Sequence, residues 1–321
     1  MERQRDRRRN RDRADVTSGQ AGILTLSAGD AEVDIAPAIG GSLAGFRWRR
    51  GAHAIDWLRP TTPDALSGGD AGDLACFPLV PYSNRVRGGR FTFGGRVVTL
   101  PIDPVEDPHF QHGHGCRHPW SVIERDGAAA VLSYAHAADA WPWAYTARQS
   151  LRLVDGALHL ELAVTNDSDR IMPLGLGFHP YFPSGRGGRL RATVDAMWAI
   201  DGEVLPTEVV PLRPNADPRR GLDLDRVDLD NVFTGWNGRA EISWPEIGAA
   251  LAIEADPPLD FLVIYVPASQ GFFCAEPVSN ATDAFNLVST GQRDTGMIEL
   301  APGATRRART RLIPRLTTPH Q

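Results

Sequence analysis

Leu158, Leu160, Leu162 and Val164 alternate with His159, Glu161 and Ala163, and Asn166-Asp167-Ser168 then turns the chain. That period of two predicts a half-buried strand closed by a turn. Phe91-Thr92-Phe93 and Val97-Val98-Thr99-Leu100 flank Gly94-Gly95, a hairpin signal, because a tight two-residue turn needs positive φ. The runs 240–244 and 250–255 read as another hairpin. Residues 261–266 are continuously apolar over a strand's length and are expected to be buried on both faces. Residues 271–275 form a further strand leading into Glu276-Pro277. Residues 137–140 could start a helix, but Trp141-Pro142-Trp143 would break it. With 32 Gly and 25 Pro among these short runs, the pattern predicts an all-β sandwich or barrel with helix confined to short turns. No fixed-period repeat or Gly/Ser-rich linker divides it. One domain is expected over residues 21–314, between a disordered Arg-rich tail at 1–20 and a C-terminal tail at 315–321.

Composition removes several alternatives. The chain has 321 residues, 42% of them hydrophobic, enough to bury a large core. A formal net charge of -5 gives no global basic field, and nucleic acid is not an expected partner. The acids among the arginines of the first 15 residues, and the missing aromatics, count against an RNA-binding arm there. No apolar run approaches a membrane span. All 34 basic residues are Arg; without lysine there is no Schiff-base chemistry, no pyridoxal phosphate attachment and no P-loop lysine. Cys76, Cys116 and Cys274 are too sparse for a disulfide framework. Reduced thiols, and the lack of an apolar signal segment near the start, fit a cytoplasmic protein.

Four polar clusters interrupt the apolar runs: Ser83-Asn84-Arg85; the stretch from His109 to Gly115 containing His112 and His114; Gly177-Phe178-His179-Pro180; and Glu276-Pro277. Asp230 is a weaker fifth. His112 and His114 would share a face in a strand and invite a metal reading. The carboxylate that such a site needs nearby is absent, since Arg117-His118-Pro119 follows. Histidines satisfying backbone groups in a tight turn are the plainer alternative. His179 and Glu276 each precede a proline, which restricts their backbones to extended conformations. Either the prolines simply end strands, or the restriction positions an acid and a base. Glu276 follows Phe272, Phe273, Cys274 and Ala275. A carboxylate there is costly unless paired or used, and partial burial would raise its pKa. A carboxylate base with imidazole acids suits proton shuffling on a sugar, and needs no metal, nucleotide or lysine.

In their order, these clusters resemble the aldose 1-epimerase family. The matching residues are Phe77-Pro78-Leu79-Val80-Pro81-Tyr82-Ser83-Asn84-Arg85, His112-Gly113, Gly177-Phe178-His179-Pro180-Tyr181-Phe182, Leu229-Asp230 with Phe233, and Glu276-Pro277-Val278. The resemblance implies a large β-sandwich, the supersandwich of galactose mutarotase, with an open sugar-binding cleft. It implies a metal-independent, cofactor-free enzyme that interconverts the α and β anomers of an aldohexose such as galactose or glucose. It assigns Glu276 as general base at the C1 hydroxyl, His179 as general acid at the ring oxygen, and His112 as its assistant. Asn84, Arg85 and Asp230 would bind substrate hydroxyls. Gln111 and Cys116 depart from the family's habit of an apolar and an aromatic residue at those places, which bears on sugar preference. Trp141 and Trp143 are candidates to stack on a sugar face, with core packing the alternative. Two further functions compete: a catalytically silent sugar-binding module, and an epimerase of phosphorylated hexoses using Arg85 or Arg87.

Overall fold

The computed structural model describes residues 22–50, 53–102 and 108–317; the expected tail at 1–20 lies outside them. Most of the strands fall in two large antiparallel sheets. In one, Leu24–Ala28, Ala31–Ala36, Ser42–Arg50, Cys76–Leu79, Gly177–Pro183, Phe272–Val278, Phe261–Val266, Leu229–Thr234, Ala196–Ile200 and Pro206–Pro211 lie side by side in that order, with His53–Asp56 added beside Ser42–Arg50. In the other the order is Ser121–Arg125, Ala129–His136, Tyr145–Val154, Ala157–Asn166, Thr305–Leu316, Ala249–Ala255, Arg239–Trp244, Arg189–Ala192 and Leu222–Asp223. The α-helices among the described residues are two six-residue pieces, Pro63–Gly68 and Ala284–Ser289. None is long and apolar enough to cross a membrane.

The local reasons match the pattern of the chain. In Ala157–Asn166 the leucines and Val164 point inward, and the strand pairs in register with Tyr145–Val154. Gly94 and Gly95 both take positive φ and close a two-residue turn between Arg90–Phe93 and Arg96–Thr99. Residues 137–140 form bends and no helix. Leu26, Val33 and Phe46 of the first sheet share one apolar cluster with Leu151, Leu160 and Leu162 of the second, so the sheets face each other across a common core. Trp141 and Trp143 belong to this core, each 1% exposed, against Phe91; Trp141 also meets Tyr82 and Phe285. They are unavailable to a sugar, and core packing is their role.

The prolines after His179 and Glu276 do not end strands. Gly177–Pro183 and Phe272–Val278 run through Pro180 and Pro277, in the middle of the larger sheet. A proline cannot donate to a ladder and is normally kept out of such places. Here the pairing has a gap: Gly177 meets Val278 and Tyr181 meets Cys274, with no pair recorded in between. The register of the flanking pairs sets His179 directly opposite Glu276, within that gap. Glu276 is thus inside the sheet, two residues short of the strand's end, and not at its edge as the sequence suggested.

Candidate active site

Alternation decides which side chains meet. Phe178, Phe182 and Phe273 enter the core between the sheets, so His179, Tyr181, Cys274 and Glu276 emerge on the other face of the larger sheet. Phe77 stands opposite His179, and the rings of Phe77 and Tyr181 each stack on the imidazole at 4.6 Å, 6.3 Å from one another. His179 is packed against both aromatic rings, with its Nε2 3.3 Å from Glu276 Oε1. Asp230 reaches the same face from Leu229–Thr234, opposite Tyr265.

The remaining groups come from loops. Gly113 has φ +67, and a Cβ there would lie 2.4 Å from the Val80 carbonyl oxygen. Only glycine lets the 112–115 loop lie on Val80-Pro81, where the Gly115 N–H donates to Val80 O at 3.0 Å. That contact brings His112 to Asn84. The His112 N–H donates to Asn84 O at 2.9 Å, and the Asn84 N–H donates to His112 Nδ1 at 3.2 Å. Both residues have positive φ, 62° for Asn84 and 58° for His112. Such backbones cost about 1–3 kcal/mol each and persist where surrounding structure imposes them. Because Nδ1 accepts, a neutral His112 carries its proton on Nε2. Asn84 Oδ1 accepts from Arg85 Nη1 at 3.2 Å, and the same Nη1 lies 3.6 Å from Asp230 Oδ2. His112 is not in a strand with His114. His114 turns away toward Tyr145, whose hydroxyl lies 2.9 Å from its Nε2, and stacks near His136. The two histidines serve different places, and the shared face that would have made them metal ligands does not exist.

Burial sets the charges. It pushes Glu276 well above the usual carboxylate range; Asp230 adds to the rise and Arg85 opposes it. Burial holds His179 down at about 3, helped by Arg59. Burial also puts His112 well below its ordinary value, with His179, Arg85 and Arg117 contributing. Asp230 is raised by desolvation against the pull of Arg85. Both charged forms of the His179–Glu276 contact are therefore disfavoured. At rest it is an imidazole facing a carboxylic acid, one proton shared by two groups. Glu276 Oε2 is buried and finds no hydrogen-bond partner, which costs about 1–3 kcal/mol unless a ligand supplies one.

Asn84, Arg85, His112, His179, Asp230 and Glu276 all line one cavity of about 190 Å³, with Gln111, Tyr181 and Tyr265. The six residues that the family resemblance assigns to catalysis and hydroxyl binding line this one cavity; Trp141, Trp143 and Arg87 do not. Tyr181, Tyr265 and Cys274 were missed. Tyr181 and Cys274 lie two residues from His179 and Glu276, so the strand period alone would have placed them on the same face. Arg87, the other candidate for a phosphate, instead lies 3.6 Å from both Asp201 and Asp283. Donor atoms of His179, Cys274 and Glu276 lie within 4.8 Å of one another and form the group best placed to hold a metal ion among the described residues. Burial raises the Cys274 thiol well above its ordinary value, so a metal would first have to displace its proton.

A sequence profile of the aldose 1-epimerases matches residues 22–312. The chain belongs to the aldose 1-epimerase family. It is 34% identical over 289 residues to the uncharacterized protein YphB of Escherichia coli K12, covering 88% of this chain and 94% of that one. A crystal structure from Escherichia coli K12, assigned provisionally as an aldose 1-epimerase, superposes with a TM-score of 0.82 at 32% identity, over 92% of this chain and 99% of that one. A galactose mutarotase-like protein of Clostridium acetobutylicum shares the fold at 19% identity, with a TM-score of 0.79 over 92% and 95% of the two chains. Membership places the chain among isomerases with a galactose mutarotase-like fold.

Proposed function

We propose that the protein is a mutarotase, an enzyme that interconverts the α and β anomers of an aldohexose such as galactose or glucose. The observation that carries this reading is the 3.3 Å contact of His179 with Glu276, in a cavity also lined by Asn84, Arg85, His112 and Asp230. When the shared proton sits on His179, Glu276 takes the proton of the C1 hydroxyl while His179 protonates the ring oxygen. The bond from C1 to the ring oxygen breaks, leaving an aldehyde and a free hydroxyl. The C1–C2 bond turns, and the reverse transfers close the ring on the other face. One proton has crossed from His179 to Glu276 through the sugar and back, so the pair returns to its starting state. Neutral His112 donates from Nε2 near the ring oxygen. Arg85, Asn84 and Asp230 hold the hydroxyls that do not react.

Polarimetry on a panel of free and 6-phosphorylated aldoses tests this reading; a folded protein that accelerates none of them would refute it and favour a silent binding module. Turnover is expected to survive EDTA, because no step needs a metal. Loss in EDTA with recovery on zinc or manganese would instead give His179, Cys274 and Glu276 a metal-binding role. Arg85→Ala should raise KM about tenfold or more with little change in kcat, since contacts made equally in ground and transition states appear in KM. A fall in kcat at constant KM would move Arg85 to the transition state.

The pH profile of kcat/KM should be bell-shaped, with limbs that belong to the pair. The rate falls on the acid side when the pair gains a second proton, and on the alkaline side when it loses its only one. Burial lowers His179 to about 3, which puts the acid limb below the ordinary imidazole value, and the raised Glu276 carboxyl sets the alkaline limb. An acid limb at the ordinary imidazole value of 6.5 would contradict this account.

A further inference from the structure

The inner cavity borders a larger groove of about 540 Å³, and the two share Gln111, His112 and Tyr181 as walls. Small-molecule sites usually measure about 300–1,000 Å³. The inner cavity alone falls short of that range, and the groove lies well inside it. Beyond the shared wall the groove is bounded by the segment 68–72, by Cys116 and by Arg117.

Two of these residues decide what the groove can take, Gln111 and Cys116. Where an aromatic would fill space, Cys116 leaves it open; where an apolar side chain would repel water, Gln111 offers an amide. The far wall is equally small and polar. Gly68, exposed at the end of its helix, has open space where a Cβ would stand, and Asp70 follows two residues later. Asp70 is close enough to Tyr181 and Cys116 to raise the pKa of both. Arg117 is fixed above Phe110 at 4.9 Å. One cation, one anion and an amide line the groove with Tyr181, whose hydroxyl lies near Gly72, and together they match a neutral ligand with many hydroxyls. A phosphate would meet Arg117 but also Asp70.

Resting on the mutarotase reading, we propose that the groove is a second saccharide subsite. The preferred substrate is then a reducing disaccharide. Its reducing ring lies at His179 and Glu276 and its second ring lies between Arg117 and the 68–72 segment. Its free anomeric carbon reacts as a monosaccharide's would, so the chemistry is unchanged and the groove contributes binding alone.

The test compares anomerisation of glucose and galactose with that of maltose, cellobiose and lactose, each also offered to Gly68→Trp and Cys116→Phe. We expect at least one disaccharide to exceed its reducing-end monosaccharide about tenfold or more in kcat/KM. Gly68→Trp should abolish that advantage while leaving monosaccharide turnover intact, and Cys116→Phe should do the same. Gly68 lies on the surface, so its variant keeps the test valid if Cys116→Phe fails to fold. Equal or poorer turnover of all three disaccharides overturns the subsite, as does a preference for glucose 6-phosphate over every disaccharide. An advantage that survives a folded Gly68→Trp also overturns it. A protein inert on every sugar would instead refute the mutarotase reading itself.

Discussion

Glu276→Gln should lower kcat by about 10²–10⁴-fold, the usual worth of a positioned base, in a protein that remains fully folded. The carboxyl is 2% exposed, has Oε1 3.3 Å from His179 Nε2, and leaves Oε2 without a hydrogen-bond partner. Its burial raises the folded-state pKa, so its stabilising contribution is complete below the unfolded value of about 4.5 and is lost as pH rises toward the folded value. Glutamine has no proton to lose. The variant should therefore gain in Tm relative to the parent across that window, while its turnover collapses. Thermal melts at several pH values and kcat from the same preparations check both halves. A folded variant with parental turnover would remove Glu276 from the mechanism. One with parental turnover per folded molecule but a lower Tm at every pH would make the residue purely architectural.

The second large effect is expected when His179 changes as well. His179→Asn should cost about as much as Glu276→Gln, since the proton passes between the two through the sugar. The double variant should lose far less than the product of the two single losses, because groups acting as a unit are not additive. Multiplicative losses would mean that each residue acts alone and that no shared proton exists. The stacking of Phe77 and Tyr181 on the imidazole adds a check: losing the ring leaves a gap in an apolar stack, so His179→Asn should melt lower than Glu276→Gln.

Much of this was legible in the chain. The alternation at 158–164, the Gly94-Gly95 turn and the apolar run 261–266 each reported local geometry, which is what side-chain periodicity encodes. The site residues were legible as types beside prolines and glycines. Their assembly was not. Only the sheet order places His179 between Phe77 and Glu276, and Asp230 comes in from a strand that the sequence separates by 46 residues from Glu276. The spacing of His112 and His114 misled for a physical reason: His112 adopts positive φ, and period two holds only in extended backbone. For Trp141 and Trp143 the sequence left a sugar face and core packing both open, because an aromatic beside a proline suits either, and the core is where they lie. For Pro180 and Pro277 the sequence left two readings open, strand ends or a restriction that positions His179 and Glu276; the strands run through both prolines at a gap in the ladder.

The strand Thr305–Leu316 lies between Ala157–Asn166 and Ala249–Ala255, at the centre of the smaller sheet. During synthesis its two neighbours emerge first and cannot pair with each other across the gap it leaves. Their facing edges stay unpaired until residue 316 has left the ribosome. Exposed edges and apolar faces at that stage invite association between nascent chains. A stop before residue 305 would leave Ala157–Asn166 and Ala249–Ala255 with unpaired edges at the centre of the smaller sheet.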